Sequence, residues 1–272
     1  MSLLTLSLVA LAALANDPPT RPHSAPHVQD ERDEQETAAE DSSAETTTVP
    51  VEEEPEPPKW TGALTFGSSI TGGNTDIKKF SLTADAVKEL EKSRYTLGFL
   101  WNFSEEDDVI SQRRVFGSGQ FDRFVTERLY WLAQLSGESD KNASLDLRTT
   151  VGGGLGYQFL DSKKWKLSGE AGLSWLDERF ATDGDNAYLA LRAAYNVDWV
   201  PNSIWNLSQA LQVFPSLEDI DDVYAKVDTR LKVNISGSLF AQLQWVYDWN
   251  NTPAAGKERV DNLYLLTIGW TF

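Results

Sequence analysis

Residues 239–249 read LFAQLQWVYDW, and this stretch decides the fold. Its odd positions, from Leu239 to Trp249, hold only leucine, alanine and aromatic residues, whereas Gln242, Gln244 and Asp248 fall on even positions. A period of two is typical of a β-strand whose two faces meet different surroundings. The stretch therefore predicts a strand with one apolar face and one largely polar face.

The same alternation recurs along the chain from Trp60 onward. We count twelve such segments, and 213 residues divided among 12 strands leaves about 18 for each strand and its connection, which suits strands of about 9–11 residues across a thin bilayer. The predicted strands begin near Trp60, Lys79, Arg94, Arg114, Leu129, Ser144, Trp165, Asn186, Ile204, Asp222, Leu239 and Arg259.

The composition of the two faces predicts which one meets lipid. The polar face is rich in Gly, Ser, Thr and charges of both signs, whereas the apolar face carries aromatic residues at both ends. Lipid outside, a polar lumen and two aromatic girdles are typical of an outer-membrane barrel, and only a closed barrel satisfies every strand's backbone in hydrocarbon. We predict an all-β fold, a transmembrane antiparallel up-and-down β-barrel of about twelve strands. A soluble lipocalin-like barrel or sandwich is the alternative.

The connections between the predicted strands alternate in length. With a periplasmic N-terminus, the outward connections are expected to be long and polar, and the inward ones short. The outward set is 105–112, 137–143, 177–185, 216–221 and 250–258, and the inward set is 90–93, 160–164, 201–203 and 235–238.

The first 59 residues differ sharply from the rest and contain no aromatic residue. Residues 1–15 are an apolar run that ends in Ala13-Leu14-Ala15, which predicts a cleaved signal peptide although no basic residue precedes the run. Residues 16–59 carry 13 acidic and 3 basic side chains and many prolines, so we expect a disordered periplasmic segment. It is either a solvated spacer or a site for a basic periplasmic partner. Residues 60–272 form the barrel.

The C-terminus is the most specific local signal. Its alternation runs to Phe272 and resembles the signal read by the barrel-assembly machinery, so we predict that machinery and outer-membrane lipid as partners, in the bacterial outer membrane. The residues of this predicted assembly signal are Tyr264, Leu266, Ile268, Trp270 and Phe272.

Thirteen charged residues fall on the predicted lumen face, seven acidic and six basic. Such near-balance has two interpretations. Either paired charges brace and plug the lumen, or they line a narrow, low-conductance channel for small solutes or ions. The predicted lumen residues are Asp85, Asp122, Asp146, Arg148, Lys166, Glu170, Arg192, Asp198, Lys226, Asp228, Arg230, Lys232 and Asp248.

Composition argues against several other functions. The 272 residues include no cysteine, and both histidines, His23 and His27, precede the predicted barrel, which weakens metal sites and His-assisted nucleophiles. A hydrolase with Ser168 and Lys166 as its catalytic pair is the less favoured interpretation, because both residues are also expected as polar residues that line the lumen. A sequence pI near 4.5 argues against nucleic acid. We therefore predict no enzyme activity, cofactor or metal, and leave the oligomeric state open.

One family resemblance covers residues 60–272. It depends on Trp60 followed by Gly67, the turn 73–75, the run from Asp146 to Tyr157 with its glycines at 152, 154 and 156, and the terminal Phe272. This order resembles the outer-membrane family called domain of unknown function 481, often labelled salt-induced outer-membrane protein. The resemblance implies a porin-like β-barrel and supplies no substrate and no catalytic residue. The acidic segment 16–59 lies outside the family pattern.

Overall fold

The chain folds into twelve β-strands in a computed structural model that describes residues 58–71, 76–181 and 184–272. The predicted signal peptide and all but the last two residues of the predicted acidic segment lie outside the described residues. The described residues contain no helix long and apolar enough to cross a membrane. In order, the strands are β1 (Thr61–Thr71), β2 (Ile77–Leu90), β3 (Ser93–Glu106), β4 (Val109–Phe124), β5 (Leu129–Asp140), β6 (Leu145–Asp161), β7 (Trp165–Phe180), β8 (Gly184–Trp199), β9 (Trp205–Pro215), β10 (Val223–Ser236), β11 (Leu239–Asn250) and β12 (Val260–Thr271).

The strands close into one barrel in which each pairs antiparallel with its neighbours in sequence, and β12 returns to β1. The closing ladder is short: four residue pairs, from Ala63 with Thr271 to Phe66 with Ile268, join β1 to β12. Gly62 and Phe272 extend it by exchanging two backbone hydrogen bonds of 3.0 Å. We call the end of the barrel that carries these two residues the terminal end, and the opposite end the far end.

The apolar face points outward and the polar face points inward. Leu243 at the middle of β11 is 50% exposed, whereas its neighbour Gln244 is completely buried in the lumen. The same contrast holds on β1, where Leu64 and Phe66 are exposed and Thr65 is buried. An apolar outer surface around a polar interior is the arrangement of a membrane barrel and the reverse of a soluble one. The fold is the predicted transmembrane up-and-down β-barrel.

Aromatic residues ring the terminal end. Trp165 begins β7 and Trp199 ends β8, and their rings stack 5.4 Å apart on the outer surface. Trp205 begins β9 and Trp270 lies near the end of β12, both exposed. Tryptophan combines a large apolar ring with an N–H donor, so it suits the level where hydrocarbon gives way to lipid headgroups.

The predicted alternation of long and short connections is wrong. At the far end, residues 107–108 alone join β3 to β4, and 181–183 join β7 to β8, whereas 216–222 and 251–259 are longer. Asp107 and Asp108 both have positive φ, as the tightest β-hairpin turns require. Residues predicted as loops extend the strands instead: β4 begins at Val109, five residues before the predicted start at Arg114, because acidic and polar residues here keep pairing across the ladder.

The lumen as candidate functional site

Arg114 is the centre of a buried ion network near the far end of the lumen. It lies on β4 with its guanidinium against the Glu138 carboxylate of β5, and its Nη2 is 2.6 Å from an Asp248 carboxylate oxygen. Asp140 adds a third carboxylate, 3.7 Å from Nε. All four side chains are almost completely enclosed. The Arg114 guanidinium thus contacts three carboxylates. All four side chains lie at strand positions that face the lumen.

Arg148 on β6 joins the network from another side. Its Nε is 2.6 Å from Glu178, its Nη1 is 3.5 Å from Glu138, and its guanidinium lies 3.9 Å from the centroid of the Tyr224 ring. The Tyr224 hydroxyl donates a 2.7 Å hydrogen bond to Asp248. The aromatic ring on one side of the Arg148 guanidinium and the carboxylates on the other offset the free-energy cost of burying its charge.

The network crosses the lumen from wall to wall. Lys226 on β10 lies 3.8 Å above the Phe116 ring of β4, and these two strands are opposite each other in the closed order of twelve. Lys226 is also 3.6 Å from Glu138. We call this set the far-end layer; it consists of Arg114, Glu138, Arg148, Tyr224, Lys226 and Asp248.

Two cavities lie on either side of the far-end layer. The larger, which we call the terminal cavity, has a volume of about 420 Å³, and the smaller, at the far end, about 40 Å³. Arg114, Glu138, Arg148 and Tyr224 line both of them. The connection 251–259 helps to cover the smaller cavity, and its Ala254 is buried. The layer therefore lies between the two cavities.

The terminal cavity extends from the far-end layer toward the terminal end. Glu89 near the end of β2 and Lys166 near the start of β7 line it and are themselves exposed. Asp198 of β8 is the register partner of Lys166 and also lines the cavity. The cavity is thus a polar vestibule that is accessible from the terminal end and has the far-end layer as its floor.

A second network braces the wall between β3 and β8. Glu170 accepts hydrogen bonds from Arg192 at 2.7 Å, Tyr130 at 2.9 Å and Gln120 at 3.0 Å. Gln120 also donates to Asp122, which pairs with Arg94 at 2.8 Å. The carboxylates here are held by directed donors, so they contribute little free charge to the vestibule.

A third network joins the other wall. Arg230 of β10 reaches Asp85 of β2 at 2.6 Å and Asp228 of its own strand at 2.7 Å. Asp228 also accepts a 3.0 Å hydrogen bond from Gln244. Nearby, Lys232 places its ammonium 4.4 Å from the centroid of the Phe240 ring. On this wall Arg230 is matched with carboxylates, whereas Lys232 lies against an aromatic ring.

The structure places one predicted lumen residue elsewhere. Asp146 is exposed, because the β6–β7 register shifts by one residue between Leu145 and Leu147. Such a bulge reverses the faces on one side of it, so Leu145 points inward while Asp146 and Leu147 do not. The prediction for Asp146 is therefore wrong. The others lie in the ion and cation–π networks or line the terminal cavity: Asp85, Asp122, Arg148, Lys166, Glu170, Arg192, Asp198, Lys226, Asp228, Arg230, Lys232 and Asp248.

Several members of these networks were not among the predicted lumen residues. Glu138 and Glu178 were assigned to connections, and Arg114 to the start of a strand, yet all three are buried in the lumen. The sequence does contain a signal for two of them. The even-numbered residues of β5 and β7 face the lumen, and this alternation continues to Glu138 and Asp140 on β5 and to Glu178 on β7. The residues that complete the far-end layer thus come from strand extensions.

The other predicted features can be located as well. The residues of the predicted assembly signal all point outward from β12 or follow it, with Leu266 75% exposed. Ser168 is buried, whereas Lys166 lies at the mouth of the terminal cavity. Across residues 58–71, 76–181 and 184–272, no group of three His, Cys, Asp or Glu side chains is arranged to hold a metal ion.

Comparison with known proteins gives a family and distant structural resemblances. No curated protein matches the sequence. The NanC porin is 8% identical with a TM-score of 0.47, covering 79% of this chain and 99% of its own. The translocator domain of the autotransporter NalP from Neisseria meningitidis is 10% identical with a TM-score of 0.44, covering 81% and 90%. The family model described as "Protein of unknown function, DUF481" matches residues 64–272. The chain belongs to the DUF481 family.

Proposed function

We propose that this protein is a bacterial outer-membrane barrel with a lumen that is closed to ions at rest, so that it conducts weakly at most. The observation that carries this proposal is the far-end layer. Arg114 links β4 to Glu138 on β5 and to Asp248 on β11, and the same layer borders both cavities. In this proposal the far-end layer blocks a continuous water path through the barrel.

The ion pairs of the far-end layer support the proposal that the lumen is closed, because separating them is costly in free energy. Displacing Arg114 or Arg148 would leave Glu138 in a site of low polarity with less compensation, and separating a buried ion pair costs several kcal/mol, about 3–5. Lys226 adds a further cation on the same carboxylate. An ion that entered the layer would have to replace these contacts one by one.

The outer surface supports the location. A band of exposed apolar side chains with tryptophans at the terminal end requires lipid, and outer membranes are where bacterial barrels of this kind are inserted. Outer-membrane lipid and the barrel-assembly machinery are the partners that this proposal implies. The role proposed is not enzymatic: Ser168 and Lys166 both line the terminal cavity, but residues 60–272 contain no histidine to activate a serine nucleophile.

Planar-bilayer recording of the purified barrel tests the proposal. The wild type should give no steps above background, whereas Arg114→Ala and Arg148→Ala should open measurable conductance. Arg113→Ala is the matched control, because Arg113 is the exposed neighbour of Arg114 on the opposite face of β4. Large, porin-like steps from the wild-type barrel would contradict the proposal.

A second candidate is a narrow channel for small solutes or ions. The observation that favours it is the position of the terminal cavity, which already reaches the layer from one side. Rearrangement of a few side chains, Arg114 and Tyr224 among them, would then join the two cavities. Small wild-type steps that grow in Arg148→Ala would make this candidate the better one.

A further inference from the structure

Several of the residues that line the terminal cavity are small or uncharged. Gly98, Ser118, Ser136 and Ala210 line it from β3, β4, β5 and β9. Because these side chains are short, space remains where larger ones would fill the lumen. The volume of about 420 Å³ lies within the range typical of small-molecule pockets, about 300–1,000 Å³.

Most charged groups around this space already have partners. Arg230 is paired with Asp85 and Asp228, and Glu170 with Arg192. The cations and carboxylates of the far-end layer are paired in the same way. A charged solute would have to compete with these internal ion pairs for its partners, at a cost in desolvation.

Four side chains in the cavity keep their hydrogen-bonding groups uncommitted. Ser118 and Ser136 lie on β4 and β5, and Asn196 and Gln212 lie on β8 and β9, four strands away in the closed order. Within the described part of the chain, none of the four makes a side-chain hydrogen bond. Two hydroxyls on one side and two carboxamides on the other offer both donors and acceptors without net charge.

We infer that the terminal cavity binds a neutral, polyhydroxylated solute of mono- or disaccharide size that enters from the terminal end. The many hydroxyls of such a solute can satisfy hydroxyl and carboxamide groups on two sides of a pocket simultaneously. The inference rests on the proposed closed lumen, because the far-end layer supplies the floor that makes this space a pocket.

Titration calorimetry tests the inference on the purified barrel, held in a detergent without a sugar headgroup so that the detergent does not compete. Trehalose and sucrose are the neutral probes; gluconate and glycine betaine are the charged and zwitterionic ones. We expect saturable binding of a neutral disaccharide and at least tenfold weaker binding of the other two. Equal affinity for gluconate, or no saturable binding of either disaccharide, would overturn the inference.

Variants locate the site. Ser136→Leu should block the pocket and abolish binding, and Gln212→Leu should weaken it about two- to tenfold, as expected for one lost neutral hydrogen bond. Ala133→Leu, exposed on the outer face of the same strand as Ser136, is the control and should bind like the wild type. Unchanged binding in Ser136→Leu would overturn the inference.

Bilayer conductance is measured in parallel, so that the two proposals can fail separately. Large conductance steps from the wild type would refute the closed lumen. A wild type that shows no conductance and binds no disaccharide would refute only the binding pocket.

Discussion

Arg114 and Asp248 lie on β4 and β11, five strands apart in a barrel of twelve, yet their charged groups are 2.6 Å from each other. The contact therefore spans the lumen instead of following its wall. It fixes the separation of the two walls at the level of the far-end layer.

Removing Arg114 should destabilise the barrel. In Arg114→Ala, Glu138 and Asp248 would remain enclosed with one cation fewer, and breaking a buried pair in this way costs about 3–5 kcal/mol. Urea unfolding of the refolded barrel in lipid vesicles measures the change. Arg113→Ala should stay within about 0.5 kcal/mol of the wild type, as surface changes usually do. Equal stability of the two variants would show that the layer contributes nothing to folding.

The direction of the two faces can be tested by placing one charge on each. Leu243→Arg puts a cation near the middle of the lipid-facing surface and should cost about 2–4 kcal/mol. Gln212→Arg faces the terminal cavity, where water and carboxylates are accessible, and should cost less. The reverse ranking in vesicle unfolding would mean that the apolar face is the inner one.

Glycines on β6 and β7 allow the two strands to approach closely. A Cβ on Gly154 would lie 2.3 Å from the backbone oxygen of Ala171, so Gly154→Ala should force the strands apart and cost about 1–3 kcal/mol. Gly117 on β4 has no heavy atom within 4 Å of the equivalent position. Gly117→Ala is therefore the control, with little loss of stability. If Gly154→Ala unfolds at the wild-type urea concentration, the close approach has no structural importance.

Phe272 combines two roles that can be separated. Its backbone exchanges two hydrogen bonds with Gly62, and its side chain is the end of the predicted assembly signal. Deleting Phe272 should impair barrel closure in vitro and in cells, detected as loss of the heat-modifiable band on gels. Phe272→Ala keeps the backbone bonds, so it should refold in vitro but assemble poorly in cells. Normal assembly of the alanine variant would contradict the signal.

The strand pattern could be predicted because alternation is a local property. Eleven of the twelve strands begin within two residues of a predicted start. β5, β7 and β11 begin at the predicted residue, whereas β4 begins five residues early at Val109. Near the far end, polar residues of β4 and β5 remain paired in the β-ladder. Their composition is also typical of a loop, so composition alone does not show that the strands continue there.

The pairing inside the lumen could not be predicted. Arg114 and Asp248 are 134 residues apart in sequence, and their contact depends on barrel closure and on the stagger of the strands. A one-residue bulge likewise placed Asp146 outside, and nothing in the run Leu145-Asp146-Leu147 signals it. Alternation in the sequence thus predicts which residues face inward, but it does not predict which of them contact each other across the lumen.

The short ladder between β1 and β12 sets the order of events during biogenesis. On the side of β1 that faces away from β2, Ala63 and Gly62 pair with Thr271 and Phe272, so the barrel closes only through the C-terminal strand. Until that strand arrives, β1 keeps a free edge that could recruit neighbouring chains into aggregates. A chain that ends before β12 should therefore be unable to close, and it should offer the unpaired edge of β1 to other chains.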